Sequence, residues 1–146
     1  ALNDLVVDRG ESFRLLKCSL SLNGNLITNY SADGLILATP TGSTAYNLSA
    51  GGPIVAPWLS LVTVTPICPH SFSSRPIVLP ADQELTITFP NAEEDFRLTV
   101  DGQAEAKLAK DAVLTIRRTS YDIQMVTFED RDYFQTLRTK LDWGEE

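Results

Sequence analysis

The sequence predicts a mainly-β domain, and three observations carry that prediction. Apolar residues recur with a period of two along several short runs, turn-forming residues separate those runs, and only two stretches break the alternation. Such alternation marks strands with one buried face, because successive side chains point to opposite sides of a sheet. The clearest case is Leu16-Lys17-Cys18-Ser19-Leu20-Ser21-Leu22, in which every second residue is apolar.

At the start, Ala1-Leu2-Asn3-Asp4 has no Met and leads straight into apolar Leu5-Val6-Val7. This reads as a chain entered midway, with an amino-terminal region expected before it. After the run to Leu22 comes Asn23-Gly24, and Leu26-Ile27 resumes beyond it; Asn-Gly tolerates the positive φ angles of a tight hairpin turn. Gly34 to Thr39 is the next β-like run, and Leu61 to Cys68, Ile77 to Leu79 and Glu84 to Phe89 follow. Phe96 to Val100, Asp101-Gly102 and Gln103 to Leu108 read as a second hairpin. Ala112 to Arg117 and Ile123 to Phe128 complete the strands, with Pro80, Pro90, Asn91 and Asp111 as punctuation. The two exceptions are helical. Thr44 to Gly51 is rich in small residues and is closed by Gly51-Gly52-Pro53. Asp130 to Trp143 spaces Tyr133, Phe134, Leu137 and Leu141 along one helical face, and Gly144 ends it. No repeat, low-complexity tract or internal linker interrupts the chain.

A chain of 146 residues with 43% apolar and 21% charged content is one domain able to bury a real core. Its formal charge of -7 argues against a nucleic-acid partner, since phosphate backbones need clustered Lys and Arg. An anionic ligand would have to rely on backbone N–H groups, helix ends, local Arg residues or a metal ion. Cys18 and Cys68 lie inside apolar stretches and read as two buried free thiols. There is no pair of CxxC motifs, and the single His70, between turn-forming Pro69 and Ser71, reads as a loop hydrogen-bonder rather than a base. With no signal-peptide pattern and no apolar run of membrane-spanning length, a cytoplasmic protein without a membrane partner is expected.

Chemistry concentrates between Asp33 and Pro53. An apolar strand is stopped by Pro40 and enters Thr41-Gly42-Ser43-Thr44, and a helix begins near Ser43 or Thr44. That arrangement offers N–H groups and hydroxyls at a helix start, with Gly42 permitting close approach of a ligand. Ala45 and Ala50 leave room for a flat group, and Tyr46 offers it a ring. The alternative is a strand-to-helix joint whose Ser and Thr only cap the helix, and spacing does not choose between the two. The segment lacks GxxxxGK[ST], GxGxxG and GxSxG, which sets aside a P-loop, a Rossmann fingerprint and a nucleophile elbow.

The same segment resembles the DG…TPTGSTAY…SAGGP signature of NAD kinases almost position for position. Three more blocks resemble that family in the same order: Leu2 to Val7, Thr65 to Phe72 with Arg75-Pro76, and Asp101-Gly102-Gln103. The ending Lys140-Leu141-Asp142-Trp143 resembles the family's terminal helix. The resemblance implies the all-β second domain of the NAD kinase and diacylglycerol kinase-like fold. Residues 1–146 would then be an NAD-binding carboxy-terminal domain, packed in full-length enzymes against an α/β domain. It implies transfer of the γ-phosphate of ATP, or of polyphosphate in some members, to the 2′-hydroxyl of the adenosine ribose of NAD. A divalent cation, usually Mg²⁺, and a homo-oligomer that shares its NAD site between subunits come with it. The family's GGDG motif, whose Asp acts on that hydroxyl, does not occur in this sequence, so no catalytic residue is assigned and the chain alone is expected to be inactive.

Carried over by resemblance, Asn3 hydrogen-bonds NAD near its adenine and ribose. Asp4 stands where most members have Glu, and its carboxylate would accept from ribose hydroxyls. Thr44, Ala45, Tyr46 and Ser49 match the wall next to the adenine, with Asn47 and Leu48 inside the same bound segment. Asp33 matches an Asp that reaches the nicotinamide side, often from a neighbouring subunit. Arg14, Ser31 and Gln103 align with variable positions lining the dinucleotide cleft, Arg14 as a counter-charge for phosphate. Two rivals stand beside this reading. A related lipid kinase should lack Thr44-Ala45-Tyr46 and the Asn3-Asp4 pair, and a non-catalytic NAD(P) sensor would bind cofactor without turnover.

Overall fold

The computed structural model describes residues 1–126, 128 and 132–142. Among these, ten strands form two antiparallel sheets. In chain order they are β1 (Asp4–Asp8), β2 (Leu16–Leu22), β3 (Asn25–Ala32), β4 (Gly34–Ala38), β5 (Leu61–Ile67), β6 (Ile77–Pro80), β7 (Leu85–Thr88), β8 (Phe96–Val100), β9 (Ala104–Leu108) and β10 (Val113–Ile116). The larger sheet runs β6-β5-β4-β1-β8-β9 and the smaller β10-β7-β2-β3. Their facing side chains form one core, with Val7, Leu35, Leu37 and Val64 from the larger sheet against Leu16, Cys18, Leu20, Leu85 and Ile87 from the smaller. Both hairpins use the expected turns. Asn23 and Gly24 take φ of 47° and 78°, and Asp101 and Gly102 take 51° and 66°.

The larger sheet is buried on its outer face as well. Val6, Ile36 and Ala38 point away from the sandwich and pack against Ala50. Ala50 follows α1 (Tyr46–Ser49), a helix of a single turn preceded by a 3₁₀ turn at Thr41–Thr44. All five residues of β4 are therefore buried, although alternation alone implies a half-exposed strand. The terminal helix α2 (Tyr133–Leu141) starts at Asp132, whose carboxylate accepts from the Gln135 N–H at 3.0 Å, and closes at Asp142 in the left-handed region. Its expected limits Asp130, Trp143 and Gly144 lie outside the described residues. α2 docks through aromatic edges, with Trp58 5.6 Å from Tyr133 and 5.9 Å from Phe134 between ring centroids.

Two expectations are corrected. Ile123 to Val126 form no strand: the segment has no partner among the described residues and its apolar side chains are exposed, so alternation there lacks the hydrogen bonds that make a strand. Thr127 lies outside the described residues. Cys68 is exposed rather than buried, because the chain leaves β5 with Cys68 at a φ of 45° and turns outward before Pro69. Cys18 is buried and free, and loss of solvation pushes its thiol up to about 12, with a hydrogen bond from the Tyr30 backbone opposing.

Candidate functional site

Antiparallel pairing sorts the candidate residues between the two ends of the larger sheet. Asp4 of β1 lies opposite Ala38 of β4, and Leu5 lies opposite Val100 of β8. Asn3, Asp4, the Thr39–Gly42 turn and the turn containing Gln103 therefore gather at one end, and Tyr46–Ser49 continues from there over the outer face of the sheet, where Asn47 reaches Thr65. At the other end Asp8 lies opposite Gly34, so Asp33 sits there beside Arg9 at 3.5 Å. Ser31 belongs to that end too, its carbonyl accepting from the His70 N–H at 2.9 Å. Arg14 is there as well, exposed and paired with Glu93 and Glu94. The five residues of β1 separate the two ends by about 15 Å.

The first end is held together by a residue that sequence reasoning treated as a hairpin tip. The Asp101 carboxylate accepts three backbone N–H groups, from Leu2 at 2.8 Å, Asn3 at 2.7 Å and Asp4 at 3.1 Å. Partial burial works against its ionisation, but these donors outweigh it and hold its pKa below the ordinary value. Asp4 behaves oppositely. It is 6% exposed, and burial, then the Asp101 charge, raises its pKa. No donor among the described residues pulls it back down. Thr39 completes the clamp, its hydroxyl donating to the Leu2 carbonyl at 2.6 Å and its backbone N–H to the Asn3 carbonyl at 2.8 Å.

Gly42 has a different purpose from the one its position suggested. A Cβ there would lie 2.1 Å from the Asn3 carbonyl oxygen, so the missing side chain admits the protein's own backbone rather than a ligand. Three donors of the turn that leads into α1 are likewise spent internally. Gly42 N–H goes to the Thr39 hydroxyl at 3.1 Å, Ser43 N–H to the Pro40 carbonyl at 3.3 Å and Ala45 N–H to the Gly42 carbonyl at 2.9 Å. The Ser43 hydroxyl is fully buried and bonded to the Pro40 carbonyl and to both backbone groups of Val55. Neither N-cap residue, Pro40 for the 3₁₀ turn or Ala45 for α1, makes a side-chain cap; of the hydroxyls, only that of Thr39 accepts a turn N–H, from Gly42.

What this segment presents outward is Thr44, Tyr46 and Ser49, with Tyr46 47% exposed. Ala45 and Leu48 are half-buried beside them, whereas Asn47 is completely buried. A cleft of about 730 Å³ runs along the neighbouring side, lined in part by Leu2, Thr39, Pro40, Thr41, Trp58 and Asp101. Tyr46 and Thr44 do not line it, so these residues form an open shelf rather than an enclosed pocket. Gln103 is exposed at the same end. Among the described residues no group of three His, Cys, Asp or Glu could hold a metal ion. Asp4 and Asp101 are neighbours, but the oxygens of Asp101 are taken by backbone donors, so the pair does not fit a divalent cation.

A family model described as the ATP-NAD kinase C-terminal domain matches residues 2–128. The chain belongs to the NAD kinase family. It is 48% identical over 144 residues to the NAD kinase of Geobacter metallireducens, covering 99% of this chain and 51% of that protein. The NAD kinase of Chlorobium phaeovibrioides is 45% identical over 146 residues, covering 100% and 52%. The chain thus spans about half the length of the curated NAD kinases it matches. Among solved structures, yeast NADH kinase complexed with NADH superposes with a TM-score of 0.85 at 33% identity, covering 100% of this chain and 45% of that one. An Archaeoglobus fulgidus NAD kinase in complex with ATP gives 0.74 at 29% identity, covering 83% and 46%. The mainly-β fold is that of these NAD kinases. No helix among the described residues is long and apolar enough to cross a membrane.

Proposed function

We propose that this chain supplies the NAD-binding part of an ATP-dependent NAD kinase, which passes the γ-phosphate of ATP to the 2′-hydroxyl of the adenosine ribose of NAD. The observation that carries the proposal is that Asn3 and Asp4 sit at the end of the larger sheet where the Thr39–Gly42 turn meets them, and that this turn leads directly into Thr44–Ser49 over the adjoining outer face. Tyr46 offers a ring to the adenine, Thr44 and Ser49 offer hydroxyls beside it, and Asn3 offers an amide. The buried Asp4 carboxylate is suited to ribose hydroxyls, since a diol donates two hydrogen bonds without bringing a second negative charge. Phosphoryl transfer asks mainly for positioning and electrostatics, and these residues hold the acceptor.

Asp33, Ser31 and Arg14 sit at the opposite end of β1 from Asn3 and Asp4, about 15 Å along the sheet. They suit the distal part of an extended dinucleotide, or one bound at the shelf of a second copy, so a homo-oligomer with a shared site belongs to the proposal. The Asp of a GGDG motif is not among the 146 residues, and the catalytic base and most of the ATP site are assigned to a separate α/β domain. Any Mg²⁺ accompanies ATP there. A cytoplasmic location is part of the proposal. Calorimetry of the chain with NAD and NADP, and a kinase assay on the full-length protein, test the reading. NAD binding by the chain with turnover only by the full-length protein is expected. Turnover by the chain alone would refute the division of labour, and phosphorylation of a lipid but not of NAD would refute the substrate.

A further inference from the structure

Asn47 has no exposed surface, yet its amide sits in the middle of the proposed adenine shelf. All four of its hydrogen-bonding positions are used inside the protein. Nδ2 donates to the Ser43 carbonyl at 3.0 Å and to the Pro53 carbonyl at 3.1 Å. Oδ1 accepts from the Thr63 hydroxyl at 3.2 Å and the Thr65 hydroxyl at 2.7 Å. The two carbonyl partners fix which side of the amide is nitrogen. Gly52 is shaped to it, since a Cβ there would come 2.1 Å from Oδ1.

A four-residue helix cannot hold its own orientation, because nucleation alone outweighs the bonds it forms. Something must aim it. One side chain joins the chain before α1 at Ser43, the chain after it at Pro53 and the strand β5 beneath it. On a helix, positions 46 and 49 share one face and positions 47 and 50 share another. Tyr46 and Ser49 are exposed, whereas Asn47 is buried and Ala50 packs on the sheet. The rotation that points Asn47 at Thr63 and Thr65 is therefore the rotation that turns Tyr46 and Ser49 outward.

We propose that Asn47 is a positioning residue for NAD binding: it touches no ligand and sets the angle at which α1 presents Tyr46 and Ser49. This rests on the NAD-binding reading above. Asn47→Asp keeps the shape but turns an acceptor oxygen toward two carbonyls, and Thr65→Val removes one donor from a strand that carries no proposed ligand contact. In the full-length protein, Asn47→Asp is expected to raise the dissociation constant for NAD about tenfold with KM for ATP unchanged, and Thr65→Val to raise it about threefold. On a Tyr46→Ala background the Asn47 effect should shrink, because both changes remove the same contact. If Asn47→Asp fails to fold, Thr65→Val and its combination with Tyr46→Ala decide. Variants that only lower the urea midpoint and bind NAD as tightly as the parent would overturn the positioning role. A parent protein that binds no NAD would overturn the functional reading first, and the role with it.

Discussion

Replacing Asp101 with Ala removes the carboxylate that ties residues 2–4 to the β8–β9 turn. Three N–H donors lose their acceptor, at 2.8, 2.7 and 3.1 Å. The Leu2 donor is exposed and finds water, so it contributes little. Those of Asn3 and Asp4 are partly buried, and hydrogen bonds to a charged acceptor contribute about 1.5–3 kcal/mol net each, the low end applying at this half-exposed site. The left-handed φ of 51° adds roughly 1 kcal/mol of strain for Ala, which tolerates that region less well than Asp. Against this, the raised pKa of Asp4 relaxes when its charged neighbour goes. A net destabilisation of about 2–4 kcal/mol follows, which at a urea slope of about 1–3 kcal/mol/M moves the midpoint down by roughly 0.7–4 M. Asp101→Asn keeps one acceptor oxygen for the Asn3 and Asp4 N–H groups and should lose about half as much. Equilibrium urea unfolding followed by tryptophan fluorescence measures both. A loss below about 0.5 kcal/mol for Asp101→Ala, the level of an ordinary surface substitution, would refute the clamp.

Tyr46→Ala should weaken NAD binding by roughly 1–3 kcal/mol, as base–aromatic contacts do, while its partly exposed ring adds little to stability; an unchanged dissociation constant in calorimetry would remove Tyr46 from the site. Acid titration of stability should separate Asp101 from Asp4. Asp101 has a depressed pKa, so its contribution is complete above the ordinary value of 3.8 and lost as pH falls through its folded value. The raised pKa of Asp4 has the opposite sign, favouring the fold below 3.8 and costing stability as pH rises through its folded value. The stability gap between parent and Asp101→Asn should accordingly narrow below about pH 4, and a gap independent of pH would contradict the assignment. With an aromatic disulfide reagent in native buffer, Cys68 should react promptly and Cys18 only on unfolding, since Cys18 is buried with a pKa of about 12. Rapid modification of both thiols would show that the core around Cys18 opens readily.

Much of the fold was readable because strands announce themselves through a period of two and hairpins through Asn-Gly and Asp-Gly. Leu16 to Leu22 and the turn at Asn23 follow from those local rules alone. Ile123 to Val126 obey the same alternation without being a strand, because hydrogen bonds need a neighbour and alternation does not supply one. Thr63 and Thr65 are the polar residues of β5, yet both are fully buried. Their polarity serves Asn47, and no pattern within β5 reveals an amide 16 and 18 residues away.

By itself, the sequence determined the mainly-β class, the hairpin turns, the helix after Pro40 and, through ordered motifs, the family. These are properties of neighbouring residues or of strings, and short-range sterics and matching suffice to read them. Only the tertiary structure decided that Asp101 holds Leu2, Asn3 and Asp4 from 97 to 99 residues away, that Gly42 makes room for backbone, and that Asn47, expected within the bound segment, is buried beneath the shelf. Each depends on which strand ends meet in space, and that is settled when the sheets pair and close over the core.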